Sequence, residues 1–331
     1  MNRFVKKYLV LCLIIVLGGV VAFLVSSKPS KKRTVCWISN HLNKIVSKKA
    51  IGYWFSLVDF FGFDKVSYSL QKAPIDVIIP CTSKDKHTLD LCISGIRKNG
   101  KDVRRIIVLS SEPLTEQAEW FDEKKFPFTK HDIALEILKD EKRAQELLSK
   151  SSRIGWIYQQ FLKLYAPFII PGISSNVLML DADTVFLKPV TFIGPSGEGL
   201  YNPGSEFHQP YFRHAAKLIP GFKKVFKDYS GISHHMLFQR SVLEDLMNEI
   251  KLYHHVEPWR AFCRCIDLRY LSHSSLSEYE IYFNFAFMRT SQMKIRPLKW
   301  ANINSLDEIA TYQENGYDYV SCHAYLRGKK S

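Results

Sequence analysis

The chain contains no Asn-x-Ser/Thr acceptor in its 331 residues, so N-glycosylation gives no sign of a secretory lumen. It also lacks a GxGxxG turn and a phosphate-loop lysine motif, which excludes a standard dinucleotide or ATP site. Of its seven cysteines, Cys12 lies in an apolar run and the other six match no zinc pattern. Cys263 and Cys265, separated by a single residue, are too close for the usual pair of zinc ligands. Acidic charge is scarce relative to basic, giving a net charge of +14. The basic residues are spread widely, cluster at both ends and form no DNA- or RNA-binding signature, so nucleic acid is not an expected partner. A basic surface facing membrane phosphates or a diphosphate substrate accounts for the excess equally well.

At this length the chain can bury a substantial core. Tyr8 to Val25 carries no charge and is mostly Leu, Ile and Val, with Arg3, Lys6 and Lys7 before it and Lys28, Lys31, Lys32 and Arg33 after. The run is near the lower end of what spans a bilayer, roughly 17–25 residues. It predicts an uncleaved single-pass anchor within residues 1–33. A cleaved signal peptide, with Ser26 and Ser27 at the cut, is the competing reading. Positive charge on both flanks leaves the orientation open. The expected location is a membrane: Golgi and lumen-facing in a eukaryote, the inner membrane in a bacterium. Residues 34–73 read as a stem. Within it Ala50 to Phe63 is rich in aromatics and fits either an interfacial helix or a helix packed on the domain that follows.

The expected catalytic domain runs from residue 74 to 331. Ile75 to Ile79 is a short apolar run followed by the polar turn Cys81-Thr82-Ser83-Lys84-Asp85. Leu89, Cys92, Ile93 and Ile96 then recur at helical spacing, and Arg105 to Leu109 is a second apolar run. This is a βαβ unit with parallel strands, and the loop after its first strand is where such folds hold a nucleotide. Glu112 to Ser151 is polar and helix-prone, a surface excursion. Ile154, Ile157, Tyr158, Phe161, Leu164 and Tyr165 form an apolar stripe at helical spacing, with Lys163 near the helix end and Pro167 biasing Ala166 away from helix.

The stretch Asn176 to Val190 is the most informative. Val177 to Leu180 is apolar, Asp181 and Asp183 flank Ala182, and Val185 and Phe186 follow before Lys188 and Pro189 end the element. Runs of this kind are strands buried on both faces of an α/β sheet. Acids at the carboxyl end of such a strand sit where open α/β sheets bind ligands, and carboxylates are hard oxygen donors suited to Mg²⁺ or Mn²⁺. An Asp-x-Asp triplet by itself more often caps a turn. Downstream, Gly194 to Pro210 reads as a loop able to close over a substrate. His234 and His235 precede an apolar strand, which points them to opposite faces. Ser241 to Leu252 is an amphipathic helix. Glu278 and Glu280 diverge if their segment is helical and share a face if it is extended. A last apolar run, Tyr319 to Tyr325, carries Cys322 and His323.

The order Phe161-Leu-Lys163-Leu, a proline turn, then Leu178-Met-Leu-Asp181-Ala-Asp183-Thr184 resembles the nucleotide-sugar-binding half of GT-A glycosyltransferases, particularly the glycogenin and galactinol-synthase kind. The segments around His234 and Glu278 resemble an uncharacterised branch of that superfold. The likeness covers residues 74–327 and implies a mixed, mostly parallel sheet flanked by helices. It implies that Asp181 and Asp183 chelate Mn²⁺ (or Mg²⁺) bridging the diphosphate of a UDP-sugar, with His323 as third ligand. The family's His-x-x-Gly-x-x-Lys spacing is longer here, where Gly328 and Lys329 follow His323. Lys163 corresponds to the lysine near the reacting centre, Thr82 and Ser83 would face the nucleotide, and Lys329 would add charge at the diphosphate.

Glycosyl transfer leaves negative charge on the departing diphosphate, which a divalent ion and a lysine neutralise. An attacking hydroxyl benefits from a carboxylate, for which Glu278 is preferred over Glu280; a retaining enzyme needs no such base. His234, His235 and Glu280 are expected at the acceptor. The expected function is transfer of a sugar from a nucleotide-diphosphate sugar to a glycan or glycolipid. A non-catalytic, membrane-tethered nucleotide-sugar or glycan-binding protein and a nucleotidyltransferase using the same acids are the alternatives.

Overall fold

The computed structural model of the chain describes residues 65–72, 74–324 and 326. The expected anchor over Tyr8–Val25, the aromatic stretch Ala50–Phe63 and Lys329 lie outside the described residues. Among the described residues no helix is long and apolar enough to cross a membrane.

The architecture is mixed α/β, with a mostly parallel sheet flanked by helices. Strand β1 (Ile75–Pro80) is followed by helix α1 (Lys86–Asn99), strand β2 (Val103–Ser110) and strand β3 (Glu119–Asp122). Helices α2 (Lys130–Leu138), α3 (Glu141–Lys150) and α4 (Arg153–Ile169) come next, then strands β4 (Asn176–Leu180) and β5 (Thr184–Phe186). After β6 (Leu200–Tyr201) the chain forms α5 (Gln209–Leu218), β7 (His235–Gln239), α6 (Arg240–His254), α7 (Pro258–Cys265) and α8 (Glu278–Arg289). It ends with β8 (Lys294–Ile295), β9 (Trp300–Asn302), a short α9 (Ile309–Glu314) and β10 (Tyr319–Ser321).

The main sheet has the order β3-β2-β1-β4-β7, parallel except for β7, which runs antiparallel to β4. Every residue of β1 and β4 is buried, as expected of central strands covered on both faces. Because β7 is reversed, its first residue, His235, pairs with the last of β4, Leu180. The loops leaving β1, β2 and β4 and the loop entering β7 therefore meet at one edge, where open α/β sheets bind ligands.

Two expectations are corrected. The element from Asn176 to Phe186 is two strands in two sheets: the chain turns at Asp181-Ala182-Asp183, where the Thr184 amide donates to the Asp181 carbonyl at 3.1 Å. Strand β5 then joins a three-stranded sheet, β5-β10-β9. Helix α4 does not stop at Ala166 but runs on to Ile169 with Pro167 inside it. A proline in the last turn forfeits one backbone bond, and burial of the helix outweighs the local bias against helix before it.

The Glu112–Ser151 excursion contains β3, an edge strand of the main sheet, besides α2 and α3. The first part of the Gly194–Pro210 loop is fixed rather than free to close. Tyr201 pairs with Ile295 in β8, and the Gly197 carbonyl accepts from Gln239 Nε2 at 2.8 Å, at the end of β4 remote from Asp181. Residues 65–72 form a strap at that same end: the Val66 amide donates to the Arg289 carbonyl, Tyr68 Oη donates to Asp245, and Asn176 Nδ2 donates to the Gln71 carbonyl. Cys81, Cys92, Cys263, Cys265 and Cys322 are all buried.

Candidate active site

The turn after β4 points Asp181 and Asp183 into a cleft of about 330 Å³. Three elements bring partners to it. Antiparallel pairing of β10 with β5 sets Ser321 opposite Thr184, so the chain leaving β10 runs back along the acids. The Cys322 amide donates to the Asp183 carbonyl at 2.9 Å, Ser321 Oγ donates to Asp183 Oδ1 at 3.0 Å, and His323 Nδ1 lies 2.9 Å from Asp183 Oδ2. Burial alone would raise the Asp183 carboxyl, but the His323 bond and the charges of His323 and His234 hold it below the usual carboxylate range.

Helix α4 supplies Lys163 from its buried face. Its ammonium lies 2.7 Å from Asp181 Oδ1 and 2.8 Å from Glu278 Oε1, and 4.1 Å from the centre of the Tyr279 ring. Burial disfavours its charge, but the two carboxylates more than compensate, so Lys163 stays protonated well beyond the ordinary lysine range. Glu278 is raised, because burial outweighs the pull of Lys163. In the amide orientation that satisfies both partners, Gln160 donates to Glu278.

Helix α8 begins at the cleft. Ser277 caps it by accepting from the Glu280 amide at 3.2 Å, and being helical it sends its two acids apart. Glu278 lines the cleft. Glu280 faces the loop before β7, accepting from the Gly231 amide at 2.7 Å and from Asn284 Nδ2 at 2.8 Å. That loop presses so closely on α8 that a Cβ on Gly231 would stand 2.6 Å from the Tyr279 carbonyl oxygen. Burial pushes the Glu280 carboxyl up to about 7.

The paired histidines also part. His234 faces the acid side, its Nε2 3.2 Å from His323 Nε2, and burial pushes its imidazole down to about 4. His235 turns into the core among Phe186, Phe192 and Tyr319, with neither ring nitrogen hydrogen-bonded, and burial drives it far below the ordinary histidine range. Of the three residues expected at the acceptor, none of His234, His235 and Glu280 lines the cleft.

A second lobe of about 540 Å³ shares Pro80, Lys84, Trp156 and Gln159 with the first. It extends over Cys81, Thr82 and Leu109 at the ends of β1 and β2 to Ser152 and Arg153 at the start of α4. Thr82 lines it, and Ser83 is beside it in an exposed turn. The Arg153 guanidinium stacks on Trp156 at 4.2 Å. Trp156, Gln160, Tyr211 and Tyr279 line the first lobe and were not anticipated. Trp156 and Gln160 precede Lys163 by seven and three residues, the spacing of one helix face, so the periodicity of α4 held the signal. Tyr211 comes from α5, and no local pattern marked it.

Among the described residues, no three His, Cys, Asp or Glu side chains are gathered as a ready metal cage, since Asp181 leans to Lys163. The donor set nevertheless has the chemistry for a hard divalent cation. Ligands about 2.1 Å from one octahedral ion stand roughly 3 Å apart, and His323 Nδ1 and Asp183 Oδ2 are 2.9 Å apart.

Fold and site together define an α/β protein with an acid-lined, two-lobed cleft at the carboxyl ends of its parallel strands. Residues 73–320 match the model of a family of unknown function (DUF6492), and the chain belongs to that family. No curated protein matches it. Solved structures do, among them mouse xyloside xylosyltransferase 1 in its apo form, 12% identical, covering 76% of this chain and 98% of that one with a TM-score of 0.37.

Proposed function

We infer that the protein is a metal-dependent glycosyltransferase that moves a sugar from a nucleotide-diphosphate donor, a UDP-sugar by the resemblance above, to a glycan or glycolipid. The observation that carries this reading is the convergence of Asp181, Asp183, Lys163 and His323 in one lobe that continues into a second over the β1 loop. In this reading the nucleoside occupies the lobe beside Thr82 and Ser83, and the diphosphate lies toward the acids. Asp181, Asp183 and His323 would hold Mn²⁺ or Mg²⁺, which when bound supplies Lewis-acid neutralisation of the leaving group.

The bond from the sugar's anomeric carbon to the diphosphate oxygen breaks with its electron pair going to the diphosphate, while an acceptor oxygen bonds that carbon and gives up its proton. Lys163, held charged between two carboxylates, is a preorganised cation for the departing oxygen and needs no rearrangement to act. Glu278 aims it and takes the acceptor's proton in an inverting enzyme; in a retaining one that proton passes to the departing diphosphate oxygen. His234 backs His323 from behind. Lys329, outside the described residues, would add charge to the diphosphate. Tyr8–Val25 would tether the enzyme to a membrane.

The test is nucleoside diphosphate release with Mn²⁺ across a panel of nucleotide sugars, comparing wild type with Asp183→Ala. Loss of one ligand carboxylate is expected to cost on the order of 100-fold or more in turnover. Near-wild-type turnover in that variant would sink the mechanism. Release of pyrophosphate instead would move the protein to nucleotidyl transfer.

A further inference from the structure

The loop Gly221–Ser230 and the segment leading into α5 carry a surface that the transfer reaction does not use. Phe207 is 61% exposed and Tyr229 39% exposed, among the few large apolar side chains the described residues leave in solvent. Phe207 is pinned rather than loose: it stacks on Phe212 at 5.3 Å, and the Lys224 ammonium stands 5.4 Å over its ring. The two segments are tied together where the Gly204 and Ser230 backbones exchange hydrogen bonds of 2.9 Å. Lys223, Lys224 and Lys227 lie in the loop and Lys217 in the last turn of α5, against the acids Glu206 and Asp228. A hollow of about 510 Å³ opens between Lys217 and Lys223, floored by Phe222 and Tyr253. Exposed aromatics ringed by lysines are the composition that seats at a lipid headgroup layer.

The path of the chain fits this occupant. The strap begins at Lys65, whose ammonium donates to the Phe287 carbonyl at 2.9 Å. Phe287 in turn packs against Phe226 at 4.9 Å, within the same lysine loop. Residues 1–64, which include the expected anchor, therefore join the domain beside this patch. Their ten Lys and Arg all lie in residues 1–49, whereas residues 50–64 carry Asp59, Asp64 and no basic residue, so that neighbouring stretch is the competing cover that the neutral-detergent comparison below separates from lipid.

We propose that Phe207, Tyr229, Lys217, Lys223, Lys224 and Lys227 form a docking surface for an anionic lipid bilayer. The aromatic rings enter the headgroup layer and the lysines pair with lipid phosphates. His208 and Tyr211 continue from the patch to the rim of the cleft, so the docked domain holds the cleft mouth next to the membrane.

The test does not read turnover, so it stands or falls apart from the proposed reaction. Full-length protein is reconstituted into vesicles of phosphatidylcholine alone and of phosphatidylcholine with phosphatidylserine. Hydrogen–deuterium exchange of peptides spanning residues 203–229 is then compared. Exchange slowed several-fold in the anionic vesicles only, reversed by high salt and lost in K223E/K224E/K227E, is the expected result. These lysines sit on a surface loop, and a thermal melt checks that the variant is folded. Equal exchange in both vesicles overturns the proposal. Equal protection in neutral detergent overturns it in favour of the chain's own residues 1–64 as the cover, and protection surviving the triple substitution overturns the electrostatic account.

Discussion

Glu280 and Glu278, two residues apart, show how strongly a carboxylate's role depends on its partner. Glu278 is buried against an ammonium. Glu280 instead accepts from the neutral donors Gly231 and Asn284, and burial outweighs these and the more distant Lys224 charge, raising it from 4.5 to about 7. A carboxyl whose folded value lies above its unfolded value binds a proton preferentially in the folded state, so its contribution is present below pH ~4.5 and is lost as pH rises through about 7. Melting curves from pH 5 to pH 8 should therefore show the wild type losing on the order of 2–3 kcal/mol from this group. In Glu280→Gln that part of the slope should vanish, because the amide does not titrate. An unchanged slope would mean that Glu280 ionises as freely in the fold as outside it. Sequence reading set Glu280 at the acceptor beside Glu278, and what it lacked was the helical start of α8, which sends the two side chains apart.

At the level of elements, the strands and helices carrying strong periodicity were legible. Val177–Leu180 reads as a central strand because all its residues are apolar, and β4 is one. The stripe from Ile154 to Tyr165 reads as the helix that α4 is, and the amphipathic run Ser241–Leu252 lies within α6. The β10 strand brings His323 to Asp183 through pairing across more than a hundred residues, which no local pattern encodes. The reversal of β7 was equally invisible, yet it puts the Ile232–His234 loop beside the acids, the Asp181 amide donating to the His234 carbonyl at 3.0 Å. Helix α8 owes its start to Ser277. Ser277→Ala should lower stability by about 1 kcal/mol through loss of the cap. Because Ser277 also lines the cleft, turnover measured well below the melting temperature should fall as well. A variant that melts earlier but turns over normally would make the cap a purely structural device.

Across the whole molecule, the acid cleft and the strap occupy opposite ends of the main sheet. The acids and both cleft lobes sit at the carboxyl ends of β1, β2 and β4, whereas the strap bonds to Asn176 at the opposite end of β4. Between them lies one continuous apolar interior that takes in Cys81, Cys92, Cys263 and Cys265, with Cys322 in a smaller cluster under β5 and β10. Burial raises the Cys81 thiol to about 12 and the Cys92 and Cys263 thiols well above the ordinary value, so neither access nor ionisation favours attack on them. Iodoacetamide should leave these five cysteines unmodified in the native protein, and mass spectrometry of a timed alkylation series would detect any that react. The two clusters need not open together. If Cys322 is labelled ahead of the other four, the small sheet carrying His323 comes away first. Its thiol then serves as a stopwatch for the half of the acid site that β10 supplies, readable in unpurified extracts and without a substrate in hand.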